Sequence, residues 1–460
     1  MTQTDTIAAV ATPPGAAGLG LIRVSGPAAA EIGRRLFRPA RKTCPWQSHH
    51  LYHGDLVTAD GKTVLDEVLV ALMRRPHSFT GEDVLEISCH GNPLILEAVV
   101  EQCLQLGCRP AHPGEFSLRA FLNGRMDLAQ AEAVAALISA RSARARQIGL
   151  AQLKGALGDR LGEIRSLLVD ALASLDATID FSDDVGEEEA PAAPPQIAEA
   201  EARIASLIAT YRQGRLSTEG ISAVITGKPN VGKSSLLNSL AGRKKAIVTD
   251  IPGTTRDLIT DTLTWDGLCV HLTDTAGIRD PRDIIEKEGI DRVWELLEEA
   301  DVVIVLLDGS RPLTEEDRLI VEQNQSRADK MLLVVNKSDL PAAWSPDDLP
   351  GVVPPGSRVL HISAKFGGGL DDLRRTVIDR AGGHDAADGE GILVSLRHKL
   401  ALEKALACLT AALDNFRAGS SPEFAAFELR EALDAVDEIT GRKIHDDVLA
   451  RIFSAFCIGK

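Results

Sequence analysis

The sequence Gly227-Lys-Pro-Asn-Val-Gly-Lys-Ser234 follows directly on the apolar run Ile221–Thr226. It fits the pattern GxxxxGK(S/T), in which glycines let backbone N–H groups wrap around phosphate oxygens. We expect Lys233 to reach the β- and γ-phosphates and the Ser234 hydroxyl to bind Mg²⁺. The helix that follows would add its positive N-terminal end. The contacts expected from this loop are Asn230, Val231, Gly232, Lys233, Ser234 and Ser235.

Three further motifs follow in order, each at the end of an apolar run. They are Asp274-Thr-Ala-Gly277, Asn336-Lys-Ser-Asp339 and Ser363-Ala-Lys365. Asp274 can hold Mg²⁺ through water, and Gly277 can approach the γ-phosphate. The Asp339 carboxylate can accept hydrogen bonds from the ring N–H and the exocyclic amine of guanine, which adenine cannot satisfy together. The other residues expected near the base are Asn336, Lys337, Ser363, Ala364 and Lys365. The motifs together predict binding and hydrolysis of GTP.

The region around these motifs alternates strand-like runs with helical patterns. The predicted strands are Ile221–Thr226, Cys269–Leu272, Val302–Leu307, Met331–Val335 and Val359–Ile362. Such alternation predicts a mostly parallel sheet with helices on both faces. Trp265-Asp-Gly267 lies between two of the apolar runs and predicts a hairpin turn.

The rest of the chain has two other compositions. Residues 1–120 are rich in glycine, proline and short apolar runs, which predicts an α+β region. Residues 126–181 lack proline and repeat apolar residues at helical spacing (Leu161, Ile164, Leu168), and helical patterns return after 391. We therefore expect an α/β domain at 218–382 inserted in an all-α helical domain formed by 121–217 and 383–460.

Composition narrows the classes of function. The formal charge of −16 and the 4% aromatic content disfavour a stand-alone nucleic-acid binder, although local basic patches remain open. The basic cluster Arg141–Arg146 can contact RNA or form a solvated helix face. Seven scattered cysteines without a CxxC pair favour a reducing, cytoplasmic setting. The sequence contains no signal-peptide pattern and no apolar run that predicts a membrane span.

Five stretches outside the α/β region share the patterns of one known family. They are Asp5-Thr-Ile-Ala-Ala-Val-Ala-Thr-Pro-Pro-Gly15, Ser78-Phe-Thr-Gly-Glu-Asp-Val-Leu-Glu86, Pro113-Gly-Glu-Phe-Ser117, Phe121-Leu-Asn123 and Phe456-Cys-Ile-Gly-Lys460. With the GTP motifs, the chain resembles the MnmE (TrmE) family of tRNA uridine-modifying GTPases, of the TrmE–Era–EngA class, over nearly its whole length. The resemblance implies that residues 1–120 form a folate-binding and dimerisation domain.

The resemblance also implies a reaction and partners. MnmE proteins act as homodimers with MnmG, a flavoprotein that uses FAD and NADH, in a heterotetramer or larger assembly. Together they add an aminomethyl or carboxymethylaminomethyl group to C5 of the wobble uridine of certain tRNAs. The one-carbon unit comes from a tetrahydrofolate, either the 5-formyl or the 5,10-methylene form.

The family's folate contacts fall on four residues of this chain: Arg23, Glu86, Arg125 and Lys460. Relatives usually carry lysine at position 125, and arginine keeps the charge with a different donor geometry. Cys457 in the terminal motif packs in the core or takes part in the modification chemistry.

Hydrolysis of GTP requires another route, because Ile278 replaces the glutamine that many GTPases carry after the glycine of the second motif. The family implies a K⁺ site that supplies positive charge, formed by Asn230, Thr249, Ile251 and Thr254. Thr255 would be the second Mg²⁺ ligand, and hydrolysis would be coupled to pairing of two GTPase domains. Glu286 matches the family's water-orienting glutamate, although without the resemblance it reads as a solvated helix residue.

An alternative class is a GTP-dependent switch in ribosome or RNA assembly. Such proteins carry basic RNA-binding domains in place of the folate-like region and the terminal Cys-Ile-Gly-Lys.

Overall fold

The computed structural model describes residues 5–41, 46–180, 193–242, 260–274, 294–345, 348, 359–382 and 393–459. They form two compact units, each drawn from separated parts of the chain. The first comprises Met1–Ala135, Gln152–Ala198 and Ala407–Lys460, and the second comprises Ala136–Ala151 and Glu199–Leu406. Each of the two stretches of the second unit is therefore inserted in the sequence of the first, and the longer insertion is Glu199–Leu406.

The described strands include one at each of the five predicted apolar runs, and others lie mainly in the N-terminal α+β region. In chain order they are β1 Ile7–Val10, β2 Ala17–Ser25, β3 Phe37–Pro39, β4 Leu51–Val57, β5 Val64–Met73, β6 Val84–Gly91, β7 Arg109–Pro110, β8 Ile221–Thr226, β9 Thr260–Trp265, β10 Leu268–Asp274, β11 Val302–Asp308, β12 Met331–Asn336 and β13 Val359–His361.

The described helices carry the remaining regular structure. In chain order they are α1 Ala29–Leu36, α2 Pro93–Gln105, α3 Glu115–Leu122, α4 Leu128–Ser139, α5 Ala143–Leu153, α6 Ala156–Asp180, α7 Pro195–Ala209, α8 Tyr211–Thr218, α9 Lys233–Ala241, α10 Glu315–Gln323, α11 Leu370–Ala381, α12 Leu396–Arg417, α13 Pro422–Thr440 and α14 Asp446–Ser454. Within the described residues, none of them is both long and apolar enough to cross a membrane.

The first unit contains the predicted α+β region. Its sheet has the order β3-β4-β5-β6-β2-β1-β7, and every neighbouring pair is antiparallel except β1 and β7. Apolar residues of α1 and α2 (Ile32, Val99) pack with strand residues such as Ile22 and Val70. This core covers one face of the sheet, and the register places Arg23 of β2 opposite Glu86 of β6.

Helices from before and after the insertion also meet in the first unit. The predicted stripe Leu161, Ile164 and Leu168 on α6 is buried. The Arg165 Nε on α6 donates a hydrogen bond to Asp437 Oδ1 on α13 at 2.8 Å. The expectation that the two helical segments pack together is therefore confirmed.

The second unit contains the predicted α/β domain. Its sheet has the order β13-β12-β11-β8-β10-β9 and is parallel except for the β9–β10 hairpin. Trp265 pairs with Leu268, and Asp266 and Gly267 take positive φ values of 47° and 82° in the predicted two-residue turn.

Alternating strand residues of this sheet enter two separate cores, so helices cover both faces. Ile304 packs on one side in a cluster that contains Leu236 of α9 and Leu373 of α11, and Val303 packs on the other with Val321 of α10. The predicted ends of four strands were wrong. Strand β10 runs past Leu272 to Asp274, β11 and β12 each run one residue further, to Asp308 and Asn336, and β13 stops at His361, one residue before Ile362. The β10 pairing continues because the polar pair Thr273 and Asp274 is still in register with Val224 and Ile225 of β8.

Candidate functional site

The phosphate-binding loop turns sharply between β8 and α9. Gly227 has φ 150°, and a Cβ there would lie 2.4 Å from the Leu306 carbonyl oxygen. Gly232 has φ 104°, and its Cβ would lie 2.3 Å from Asn336 Nδ2. Only glycine fits at these positions, because each combines a left-handed backbone with a close approach of another chain segment. Asn230 takes a φ of 67° and is exposed at the rim of the loop.

The Lys233 side chain lies within this loop. Lys233 is 6% exposed, and its Nζ donates hydrogen bonds to the carbonyl oxygens of Gly227 and Lys228, both at 2.8 Å. The ammonium group is therefore held at the mouth of the loop, at the N-terminus of α9. A cation and a helix N-terminus at one point form a binding site for phosphate oxygens.

Ser234 and Asp274 come together from the ends of different elements. Ser234 is the second residue of α9, and Asp274 is the last residue of β10. The Ser234 hydroxyl donates a hydrogen bond to Asp274 Oδ2 at 3.2 Å. A hydroxyl and a carboxylate are hard oxygen donors of the kind that Mg²⁺ takes beside phosphate and water.

Asn336 connects the phosphate-binding loop with the two base-side motifs. Its Nδ2 donates to the Val231 carbonyl oxygen at 2.8 Å, and its Oδ1 accepts from the Ala364 N–H at 3.0 Å. Asn336 is 3% exposed. Its side chain therefore fixes the spacing between its own loop, the loop of Val231 that lies 105 residues earlier and the loop of Ala364 that lies 28 residues later.

Asp339 is oriented by the next motif. The Ser363 hydroxyl donates a hydrogen bond to Asp339 Oδ1 at 2.6 Å and accepts one from the Phe366 N–H at 3.3 Å. Asp339 itself is exposed, so its carboxylate is open to a ligand. Because the Ser363 hydroxyl fixes one oxygen of Asp339, it sets the direction in which the other oxygen can accept a hydrogen bond.

In the same loop as Ser363, Lys365 Nζ lies 5.1 Å from the centroid of the exposed Phe366 ring.

Several predicted residues lie outside the described part of the chain. They are Thr249, Ile251, Thr254, Thr255, Gly277, Glu286 and Lys460. The other predicted nucleotide contacts are described. They lie on the loops that follow β8, β12 and β13, at the last residues of β10 and β12, or at the start of α9.

Sequence reasoning missed one anchor of the phosphate-binding loop. Lys228 Nζ contacts Asp317 Oδ2 at 2.6 Å and Thr314 Oγ1 at 2.7 Å. Thr314 and Asp317 also form the capping box at the start of α10. A capping box can be recognised from a sequence, but its pattern does not predict that Lys228, 86 residues before Thr314, contacts it.

A second constellation lies in the first unit, on the β2–β6 pair. Both Arg23 Nε and Nη2 donate to Glu86 Oε1, at 2.9 and 2.7 Å. The Arg23 guanidinium carbon lies 5.4 Å from the centroid of the Phe79 ring and 5.8 Å from that of Phe116. The two aromatic rings and the carboxylate hold the guanidinium in a fixed place.

The loop that carries Phe79 is held by buried and partly buried polar contacts. Ser25 Oγ lies 2.7 Å from Thr80 Oγ1 and donates to Glu82 Oε2 at 2.7 Å. The Asn123 amide donates to the Thr80 carbonyl oxygen at 2.7 Å. Arg125 Nε donates to the Ser78 carbonyl oxygen at 3.0 Å, and Arg125 is otherwise exposed. The predicted residues Arg23, Glu86 and Arg125 therefore border one structured loop.

The C-terminal segment docks on the same part of the first unit. Arg23 Nη1 donates to the Gly459 carbonyl oxygen at 3.2 Å, and the Gly114 N–H donates to the Cys457 carbonyl oxygen at 3.4 Å. Phe453 and Phe456 are buried against Leu128. Cys457 is exposed, so the expectation that it packs in the core was wrong. The neighbouring residue Phe456 is buried instead.

Two family models match the chain, and together they cover most of it. The model described as the MnmE helical domain matches residues 128–457. The model described as the GTP-binding protein TrmE N-terminus matches residues 6–125.

Three curated relatives are similar over the whole length. The chain is 45% identical to a tRNA modification GTPase MnmE from Syntrophus aciditrophicus over 460 residues, which cover 99% of each chain. It is 45% identical to the protein of that name from Geobacter sulfurreducens, again over 99% of each chain. It is 38% identical to the one from Acetivibrio thermocellus over 100% of each chain.

Proposed function

The chain belongs to the MnmE family of tRNA modification GTPases, and from this membership we propose a K⁺-dependent GTP hydrolysis that serves one-carbon chemistry on tRNA. The observation that carries the proposal is that the loops after β8, β12 and β13 come together with Asp274, the last residue of β10, at the carboxyl edge of the parallel sheet. Ligands bind at this edge in open α/β sheets. The assembly-switch alternative loses its support, because one family model matches the N-terminal region and another the helical region.

Guanine specificity follows from the base-side loops. Asp339 is the acceptor for the ring N–H and the exocyclic amine of guanine, and Ser363 fixes its orientation through the 2.6 Å hydrogen bond. Asn336 keeps the loop that carries the Asp339 carboxylate at a constant distance from the phosphate-binding loop. The remaining base contacts are Lys337, Ala364 and Lys365.

Ser234 and Asp274 fit a Mg²⁺ ion, since both are oxygen donors beside the phosphate-binding loop. Ser234 would bind the ion directly, and Asp274 would hold it through a water molecule. When bound, the ion neutralises charge that develops between the β- and γ-phosphates. Gly277 and Thr255, the second proposed Mg²⁺ ligand, complete this side of the site. Lys233 contributes a second positive charge from within the loop.

We assign the K⁺ ion to Asn230, whose exposed side chain extends from a loop position with φ 67°. The other proposed ligands are Thr249, Ile251 and Thr254. Bound there, K⁺ supplies the charge that an arginine finger supplies in other GTPases. Glu286 orients the attacking water, and the site closes when two GTPase domains of a homodimer meet.

The constellation around Arg23 is our candidate for the tetrahydrofolate site. A pterin ring carries an amino group and a ring N–H, both of which can donate hydrogen bonds to a carboxylate such as that of Glu86. The acidic end of a folate suits the exposed guanidinium of Arg125, and Lys460 lies one residue beyond Gly459, which Arg23 contacts. Cys457 is exposed beside this segment, which supports a role in the modification chemistry.

The proposed tRNA modification requires a partner that carries a redox cofactor, in addition to the tRNA substrate. We propose an MnmG-like flavoprotein that carries FAD, in a heterotetramer or larger assembly, with tRNA as substrate in the cytoplasm. Within the chain, the proposed domains are 1–120 for folate binding and dimerisation, 121–217 and 383–460 for the helical domain, and 218–382 for GTP hydrolysis.

The test is steady-state GTP hydrolysis by the full chain in K⁺ and in Na⁺ buffers of equal ionic strength. Strong activation by K⁺ is expected. Asn230→Gly removes the side-chain oxygen while glycine tolerates the positive φ, so it should abolish the K⁺ effect. Asn238→Ala, an exposed asparagine on α9, is the matched control and should keep it. Equal and slow rates of the wild type in both salts would contradict the K⁺ site.

A further inference from the structure

The side chain of Lys337 is held by a carboxylate that no motif includes. Lys337 Nζ lies 2.6 Å from Asp308 Oδ2, across 29 residues of sequence. Asp308 is the last residue of β11, and Lys337 follows the last residue of the neighbouring strand β12. The backbone of Lys337 has a φ of 66°, so the loop turns sharply at this residue.

The Asp308 carboxylate is itself fixed in place. Its Oδ1 accepts hydrogen bonds from the Ser310 N–H at 2.9 Å and from the Ser310 hydroxyl at 2.6 Å. Its backbone oxygen accepts from the Trp344 indole at 2.9 Å. Burial alone would raise the pKa of Asp308, but the hydrogen bonds from Lys337 and Ser310 outweigh it and lower that pKa. The carboxylate therefore stays charged and stationary at neutral pH.

We propose that Asp308 is a positioning residue for the guanine nucleotide and that it acts through Lys337. This inference rests on the proposed function of the site as a GTP site. With its ammonium held by Asp308, Lys337 presents its methylene stem to the face of the base, since long cationic side chains keep apolar stems beside flat apolar surfaces.

The ion pair between Lys337 and Asp308 also keeps the Lys337 ammonium away from the Asp339 carboxylate. Lys337 lies two residues before Asp339 in the same loop. An ammonium released from Asp308 would be free to pair with the Asp339 carboxylate and to compete with the N–H groups of guanine. Asp308 therefore contributes to nucleotide affinity and leaves the chemical step, which occurs at the phosphates, unchanged.

The same strand offers a matched control at its other end. Asp301 directly precedes β11, and its carboxylate pairs with Arg215 and accepts from the Ser222 N–H at 3.0 Å. Asp301 and Asp308 are thus two mostly buried, ion-paired carboxylates in the same domain. Only Asp308 lies at the carboxyl edge of the sheet, where the base is proposed to bind.

The experiment measures GDP affinity, the KM and kcat for GTP, and the thermal unfolding midpoint of the nucleotide-free full chain. Asp308→Asn should weaken GDP binding and raise KM about tenfold, as expected for the loss of one charge-assisted pair, with kcat unchanged. Asp301→Asn should leave KM unchanged. Ser310→Ala, a milder second variant, should raise KM about two- to threefold because it removes one hydrogen bond to Asp308.

A double-mutant cycle separates positioning from a general loss of stability. In a Lys337→Met background, Asp308→Asn should cause no further loss of affinity, because the two residues act as one unit. Additive effects would overturn the inference, as would an Asp308→Asn variant with normal KM. If the wild type does not bind GDP, the proposed function fails and this inference with it. If the wild type binds GDP and only the Asp308 predictions fail, the proposed function stands.

Discussion

The nucleotide site and the Arg23 constellation are both built from loops and strand ends, but they differ in how much chain lies between their residues. The nucleotide site is closed by contacts such as that between Asn336 and Val231, which are 105 residues apart within one domain. The second site joins Arg23 to Gly459 across 436 residues.

This difference decides what a sequence can reveal. Parallel strands in one sheet deliver every following loop to the same edge, so motifs in the right order already imply proximity. No such rule connects β2 with the C-terminal segment, and the meeting of Arg23 with Gly459 depends on how the helices return the chain to the first sheet. The first site is therefore predictable from motif order, and the second was predictable only through family resemblance.

The largest effect is expected on GTP hydrolysis, and it should leave folate binding at the Arg23 constellation unchanged. Glu286→Ala should slow GTP turnover by about two orders of magnitude or more, a typical loss for a positioned catalytic group. GDP binding and binding of 5-formyltetrahydrofolate should stay unchanged. Steady-state hydrolysis and two equilibrium titrations check this, with Glu288→Ala as the neighbouring control. Normal turnover would remove Glu286 from the mechanism.

An intermediate effect is expected at the second site. Arg23→Gln removes the ion pair with Glu86 and the hydrogen bond to Gly459. Affinity for 5-formyltetrahydrofolate should fall roughly 10- to 100-fold, the range for loss of charged hydrogen bonds. GTP hydrolysis should be unaffected. Arg34→Gln, which breaks the exposed pair with Glu31 in the same domain, is the control. Undiminished folate binding by Arg23→Gln would mean that this constellation only stabilises the fold.

The smallest effect tests the link across 436 residues. Gly459 has φ 89°, and a Cβ there would lie 2.4 Å from the Val10 carbonyl oxygen, so Gly459→Ala should displace the C-terminal segment. Folate affinity should fall about three- to tenfold, or about 0.7–1.4 kcal/mol, which is near the low end of the backbone strain of about 1–3 kcal/mol expected at such a position. Gly419→Ala also has a positive φ, but its Cβ meets nothing within 4 Å. Equal folate affinity in the two variants would show that the segment does not support the site.

Much of the fold was visible in the sequence, and the misses have physical causes. The hairpin at Asp266-Gly267 and the burial of Leu161 follow from local periodicity and turn chemistry. Contacts between side chains on separate elements do not. The pairs Lys228–Asp317 and Lys337–Asp308 depend on which loops become neighbours in space, and charged residues of this kind are common on any surface.

The central claim is that Asp339 reads guanine in this chain, and exchanging its carboxylate for an amide tests it most directly. Asp339→Asn should bind GDP at least about 100-fold more weakly than the wild type and should prefer xanthosine diphosphate, whose edge offers an acceptor in place of the amine. The measurement is a pair of equilibrium titrations with the two nucleotides on both proteins. An unchanged preference for GDP in the Asp339→Asn variant would contradict the account.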